Sequence, residues 1–240
     1  MPQPPRGRKL YEGKWKILYE TTDPARLIQR FKDAPRVAGA AKATARRPLP
    51  RRGALKNQIS ARLFELLQTN GIPTHFLEVV GPRDMLVRRL EMVRLEVVLR
   101  NTVAGSLAKR LGMEAGTALP APVLELYYKS DALGDPLINE THVGALGLAS
   151  TEELRAIRDM TLRTNRVLLP FFAERDILLV DFKLEFGRQA GRLMVGDDLT
   201  PDGCRFWDRT TRERLGKDRL RRSPAREVAA YQEIFQRVCA

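Results

Sequence analysis

Apolar and polar positions alternate from Val180 to Phe186 within the run Leu179-Val180-Asp181-Phe182-Lys183-Leu184-Glu185-Phe186-Gly187. Alternation of period two predicts a β-strand with Asp181, Lys183 and Glu185 on one face and Val180, Phe182, Leu184 and Phe186 on the other. A glycine-bounded turn over 187–191 and the short apolar run Leu193-Met194-Val195-Gly196 predict a hairpin that returns Asp197-Asp198 beside the first acids. Leu55, Ile59, Leu63, Leu66 and Leu67 recur at helical spacing, so 54–70 reads as a helix stopped by Asn70-Gly71. Ser150-Thr151-Glu152-Glu153 is a capping box whose helix should run to about residue 169, ahead of Pro170. Ser223-Pro224 opens a last helix with the stripe Val228, Tyr231, Ile234, Phe235 and Val238. A strand pair is expected over 11–19 around Gly13, with further strands over 27–32, 72–80, 85–90 and 95–100 and a short helix over 107–111 closed by Gly112. Hairpins mixed with isolated helices, and no internal repeat, predict an α+β fold.

The segment 34–52 has neither period. It is rich in Ala, Arg and Pro and carries Arg36, Lys42, Arg46, Arg47, Arg51 and Arg52 with no acid, so it is expected to be a mobile loop. These six residues supply nearly half of the formal charge of +13. A second basic stretch spans 209–226, and neither interleaves aromatic residues as a nucleic-acid stacking platform does. Anionic small molecules account for the remaining charge as well as nucleic acid does, and no nucleic-acid partner is expected. At 240 residues the chain suits one large domain or two lobes. The absence of an apolar run near about 18 residues argues against a membrane partner. With no signal-peptide pattern at the N-terminus, a soluble cytoplasmic protein is expected. Cys204 and Cys239 lack metal-ligand spacing and read as ordinary thiols.

Same-face Cα atoms on a strand lie about 6.6 Å apart, so Asp181 and Glu185 flank the Lys183 ammonium at a spacing suited to divalent metal, phosphate or a substrate carboxylate. Mg²⁺ in nucleotide enzymes is held by one or two carboxylates completed by water and phosphate. Taken alone, such a run is more often a solvated ion-pair ladder; the returning Asp197-Asp198 tips the balance. Tyr11-Glu12-Gly13-Lys14-Trp15-Lys16 sets a glycine beside two lysines, a phosphate-approach pattern that alone is no more than a surface hairpin. Arg100-Asn101-Thr102-Val103-Ala104-Gly105-Ser106 offers a guanidinium, a hydroxyl and a helix start, either an anion cradle or a simple capped helix.

Together these stretches resemble the SAICAR synthetase family over roughly residues 9–238. The matching pieces include the segments above, Tyr127-Tyr128-Lys129-Ser130-Asp131, Asp135-Pro136-Leu137-Ile138-Asn139, and Gly196-Asp197-Asp198 with Arg205-Phe206-Trp207-Asp208. The resemblance implies an ATP-dependent ligase that joins the carboxylate of carboxyaminoimidazole ribonucleotide (CAIR) to the amine of L-aspartate with Mg²⁺, and it is compatible with a homo-oligomer. It implies a two-lobed fold: residues 1–90 as an antiparallel lobe over ATP, like the small lobe of kinases, and 91–240 as an α+β lobe for substrate and metal. By the same resemblance Lys14 and Lys16 contact phosphates, Leu90 and Met92 meet adenine, and Lys129 meets the nucleotide. Arg100, Ser106 and Arg205 cradle the CAIR phosphate, with Asp135 and Arg221 as further substrate contacts. Glu185 and Asp197 hold metal, while Asp181 and Lys183 serve catalysis. Two rivals stay open: another kinase-like phosphotransferase, and a basic nucleic-acid-binding protein on an enzyme scaffold.

The chain departs from the family pattern at Trp15, Lys56, Ser130 and Asp198-Leu199-Thr200, and through 34–52, where the usual loop sequences are missing. The composition of 34–52 suggests the hypothesis of a compensated frameshift that impairs the loop. Resequencing that finds no neighbouring frame encoding the family loop ends it.

Overall fold

The computed structural model describes residues 6–34, 51–216 and 224–239. Strands β1 (Lys9–Glu12), β2 (Lys16–Glu20), β3 (Arg26–Phe31), β4 (Phe76–Gly81) and β5 (Asp84–Arg88) form a five-stranded sheet in the order β1-β2-β3-β5-β4. All its pairings are antiparallel. Helix α1 (Arg52–Thr69) buries Ile59, Leu63 and Leu67 of the predicted stripe against it, together with Phe64, while Leu55 and Leu66 are only half-buried. It begins two residues earlier than the sequence suggests. Arg52, expected in a mobile loop, is only 3% exposed because an acid and two aromatic rings receive it. Residues 35–50, the rest of that expected loop and of the frameshift hypothesis, lie outside the described residues.

The second sheet contains β6 (Glu91–Thr102), β7 (Ala118–Tyr128), β8 (Leu137–Ile138), β9 (Ile177–Gln189), β10 (Arg192–Gly196), β11 (Cys204–Asp208) and β12 (Arg214–Gly216). Its order is β12-β11-β9-β6-β7-β8, with β10 also paired to β9. The predicted hairpin is β9–β10, closed by Ala190 and Gly191, both with positive φ, and its register sets Gly196 opposite Glu185. β10 and β11 occupy successive parts of one edge of β9, so the chain from Asp197 to Gly203 leaves the sheet beside Lys183.

Helices α2 (Gly105–Leu111), α3 (Glu140–Ala145), α4 (Thr151–Ala173) and α5 (Pro224–Cys239) complete the fold. The Ser150 capping box forms as expected. The helix does not stop before Pro170, however, but continues to Ala173. An internal proline costs about 3 kcal/mol. Burying Phe171 and Phe172 returns about 1.5–3 kcal/mol each, which is enough to carry the helix through.

Two other expectations shift. Residues 72–75 do not extend β4: Pro73 and His75 exchange backbone hydrogen bonds with Val195 of β10 at 2.9 and 2.8 Å, stitching the first sheet to the second. Along β9 the pairing to β11 slips between Arg205 and Phe206. Leu179 therefore joins Phe182, Leu184 and Phe186 in the main core, while Val180 turns to a small cluster with Ala104 and Trp207. The main core runs unbroken from Leu27, Phe31 and Phe64 to Phe206 and Ile234. No helix among the described residues is long and apolar enough to cross a membrane.

Candidate active site

In an antiparallel ladder, directly opposed residues point to the same face. The register pairs Glu96 with Glu185, Val98 with Lys183 and Arg100 with Asp181 across β6 and β9. It pairs Glu96 with Tyr127 and Val98 with Glu125 across β6 and β7, and Arg205 with Asp181 across β11 and β9. One face of the second sheet is therefore almost wholly polar, and the opposite face carries the core residues Val97, Leu99, Phe182 and Leu184.

At one end this face forms the floor of a cleft of about 900 Å³, whose walls include Lys14, Trp15 and Lys16 from the first sheet. Lys16 reaches over to bond both Asp197 and Asp198. Asp197 adopts a left-handed backbone (φ 62°), and Gln29 donates to its carbonyl at 3.1 Å. Lys183 lies 3.1 Å from Glu185 and 3.0 Å from Glu96, and Lys129 bonds the second oxygen of Glu185. Met92 lines the cleft, and Leu90 lies against Gly187 and Gly196, where an added Cβ would come 2.7 and 3.0 Å from it. Asp135, also a cleft residue, accepts from the Ser130 amide at 2.8 Å and braces the turn after Lys129.

Electrostatics in the cleft are tightly opposed. Burial disfavours charge on Lys16 and Lys183, yet the carboxylates around them hold both above the ordinary lysine range. Burial also works against the charge on Glu185, but Lys183, Lys129 and Lys16 keep it below its usual value. Asp197 goes the other way. Burial and the neighbouring Glu185 push its carboxyl up to about 7 despite Lys16. Glu185 and Asp198 both add to that upward push, so a divalent cation among these carboxylates would relieve their repulsion. Among the described residues no group of three or more His, Cys, Asp or Glu is arranged to hold a metal by itself.

The cleft's far wall was not anticipated. Asp202 takes Lys56 at 2.7 Å and Arg52 at 2.9 Å, and Tyr231 of α5 donates to it. The Arg52 guanidinium lies 3.9 Å from the Trp15 ring centroid and 4.8 Å from that of Tyr231. Burial opposes the charge on Asp202, but Lys56 and Arg52 hold its carboxyl at about 2. Behind the cleft, burial and the charge of Lys16 push the His75 imidazole down to about 3, so it is neutral.

At the other end of the polar face is an arginine cluster. Asp181 accepts from Arg100 at 3.0 Å and from Arg205 at 2.5 Å, and Arg100 donates to the Ser106 hydroxyl at 3.0 Å. Gly105 is required here. Its φ is +55°, and a Cβ would come 2.5 Å from an Arg205 guanidinium nitrogen. Asp181 consequently sits with the arginines and does not join Glu185 and Asp197 around Lys16. Arg221 lies outside the described residues.

Comparison with known proteins shows the family of the chain. The SAICAR synthetase family model matches residues 9–238. The chain belongs to that family. A phosphoribosylaminoimidazole-succinocarboxamide synthase from Desulfitobacterium hafniense (strain Y51) is 48% identical over 97% of this chain and 97% of its own length. The crystal structure of the synthase from Ehrlichia chaffeensis superposes with a TM-score of 0.89 at 37% identity, covering 97% of this chain and 99% of that one. A SAICAR synthetase solved in complex with ADP gives a TM-score of 0.87 at 43% identity over 95% and 96% of the two chains. The fold is that of the family, α+β with antiparallel sheets.

Sequence reasoning missed Glu96, Glu125 and Tyr127 on this polar face, and Arg52 and Asp202 in the cleft's far wall. Glu125, Tyr127 and Lys129 alternate as a strand face does, a signal hidden by Pro120 and Pro122 just before them. Arg52 and Asp202 carried no local signal at all.

Proposed function

We propose that this chain is an ATP-dependent carbon–nitrogen ligase that condenses CAIR with L-aspartate to give SAICAR, ADP and phosphate, acting in the cytoplasm with Mg²⁺. The observation that carries this reading is the single polar face along β9. Asp181, among the arginines, and Glu185, in the cleft, are four residues apart, about 13 Å along a strand. That is room for a ribonucleotide with its phosphate at Arg100, Ser106 and Arg205 and its carboxylate at the cleft. ATP lies between the two lobes, 1–90 and 91–240, with Lys14, Lys16 and Lys129 on its phosphates and Leu90 and Met92 against adenine.

An unactivated carboxylate resists an amine, so a CAIR carboxylate oxygen first attacks the γ-phosphorus of ATP and ADP leaves. The aspartate amine then attacks the acyl phosphate, phosphate leaves and the amine's proton is lost. Glu185 and Asp197 would hold Mg²⁺, which supplies charge neutralisation at the phosphates. Lys183, held charged between Glu96 and Glu185, stabilises negative charge as it moves. Asp181 aims the two arginines, Asp135 shapes the turn carrying Lys129, and Arg221 is a further contact by family resemblance.

Phosphate release from ATP should require CAIR and L-aspartate together. Release with only one of them points to a different phosphotransferase, and salt-sensitive retention of RNA or DNA without turnover to a binding protein. Glu185→Gln or Asp197→Asn should lower kcat/KM at least about a hundredfold with circular dichroism unchanged. Wild-type turnover in either variant removes the metal assignment.

A further inference from the structure

We propose that Glu125 is a positioning residue that sets the affinity for the phosphorylated substrate by gripping two arginines from beneath. The inference rests on the reading of the Arg100 cluster as a phosphate cradle. Glu125 is buried in β7, with a side chain only 5% exposed. One of its oxygens accepts from Arg100 Nε at 2.8 Å and from the Tyr127 hydroxyl at 2.8 Å, and the other bonds Arg110 in the last turn of α2. Asp181 does the same on the opposite side, for Arg100 and Arg205.

The arrangement is layered. The two carboxylates are 4% and 5% exposed, whereas Arg205 and Arg110 are 14% and 35% exposed. Buried acids therefore form the floor and guanidinium groups the rim. Among the described residues the Arg205 and Arg110 guanidinium groups stand outermost over the two carboxylates, and their N–H donors are what an incoming phosphate needs. An arginine side chain is long and loses rotamer entropy when fixed. A floor acid that holds Nε leaves the guanidinium already oriented before substrate arrives, which is preorganisation rather than contact. Glu125 touches no substrate in this scheme and acts only through Arg100 and Arg110.

The test uses the full chain and two probes: ribose 5-phosphate, titrated by calorimetry, and ATP. Replacing the carboxylate in Glu125→Gln removes a charged acceptor, so ribose 5-phosphate binding and the KM for CAIR should weaken about tenfold or more, with ATP affinity unchanged. At saturating CAIR, kcat should stay near that of the wild type. A smaller loss in the same direction is expected for Tyr127→Phe, which leaves no buried charge uncompensated and serves if Glu125→Gln does not fold. Equal weakening of ATP and the sugar phosphate makes Glu125 merely structural and overturns the proposal, as does unchanged ribose 5-phosphate binding. Failure of wild type to bind ribose 5-phosphate overturns the cradle itself. Failure to turn over CAIR and aspartate, with ribose 5-phosphate binding still dependent on Glu125, overturns only the assigned reaction.

Discussion

Asp202 faces two cations that are almost completely withdrawn from water, Lys56 at 1% and Arg52 at 3% exposure. Removing one member of a buried ionic group is strongly destabilising, and the variant deprives Lys56 of its ion pair, so Asp202→Asn should cost about 3–5 kcal/mol in urea unfolding at pH 7. Acid should erase that difference. The folded carboxyl is held at about 2, below its unfolded value of about 3.9, so its contribution is complete above pH 4 or so and disappears as pH falls toward 2. Wild type and variant should therefore converge in unfolding midpoint near the acid end of that window. Gly105→Ala should raise the KM for CAIR and spare that for ATP, because the methyl group meets the Arg205 guanidinium. A steady-state comparison of both substrates checks it. At this scale the sequence was legible where function follows from a local pattern. Asp181, Lys183 and Glu185 do share a face, and Arg100 and Ser106 do meet. Arg52 was not legible, since its partners Asp202 and Tyr231 stand 150 and 179 positions away.

Helix α4 shows how local signals and packing divide the work between them. Its start was readable because a capping box is a contact within four residues, and Ser150→Ala should lower stability by about 0.5–2 kcal/mol, measured as a shift in thermal midpoint. Its end was not readable. Pro170 is a stop signal by local chemistry, and the burial of Phe171 and of Phe172, whose ring centroid lies 4.8 Å from that of Phe206, explains why the helix ignores it. β7 was hidden for the reverse reason. Pro120 and Pro122 argue against a strand, yet both fall where the β6–β7 register is irregular, between Thr102–Ala118 and Arg100–Val123. The slip between β9 and β11 is likewise invisible in an alternating sequence, although it decides that Leu179 rather than Val180 enters the main core.

Across the whole molecule, sheets that share one apolar core should not melt separately. Residues from Leu27 to Ile234 belong to a single cluster, and the Pro73–His75 segment is hydrogen-bonded to β10. Calorimetry should show one unfolding transition, and two resolved peaks would mean that the cleft divides the protein energetically as well as geometrically. Fold class was evident from the mixture of hairpins and isolated helices. What joins the parts was not, because α5 lies at the far end of the chain from the helix it covers. That placement carries a consequence for biosynthesis. While the polypeptide is growing on the ribosome, α1 has been made but Tyr231 has not, and the Arg52 pocket stays open on one side. A nascent chain arrested before α5 would carry most of the residues proposed for nucleotide capture in the wrong surroundings, so competence arrives late in translation rather than accumulating as the chain emerges.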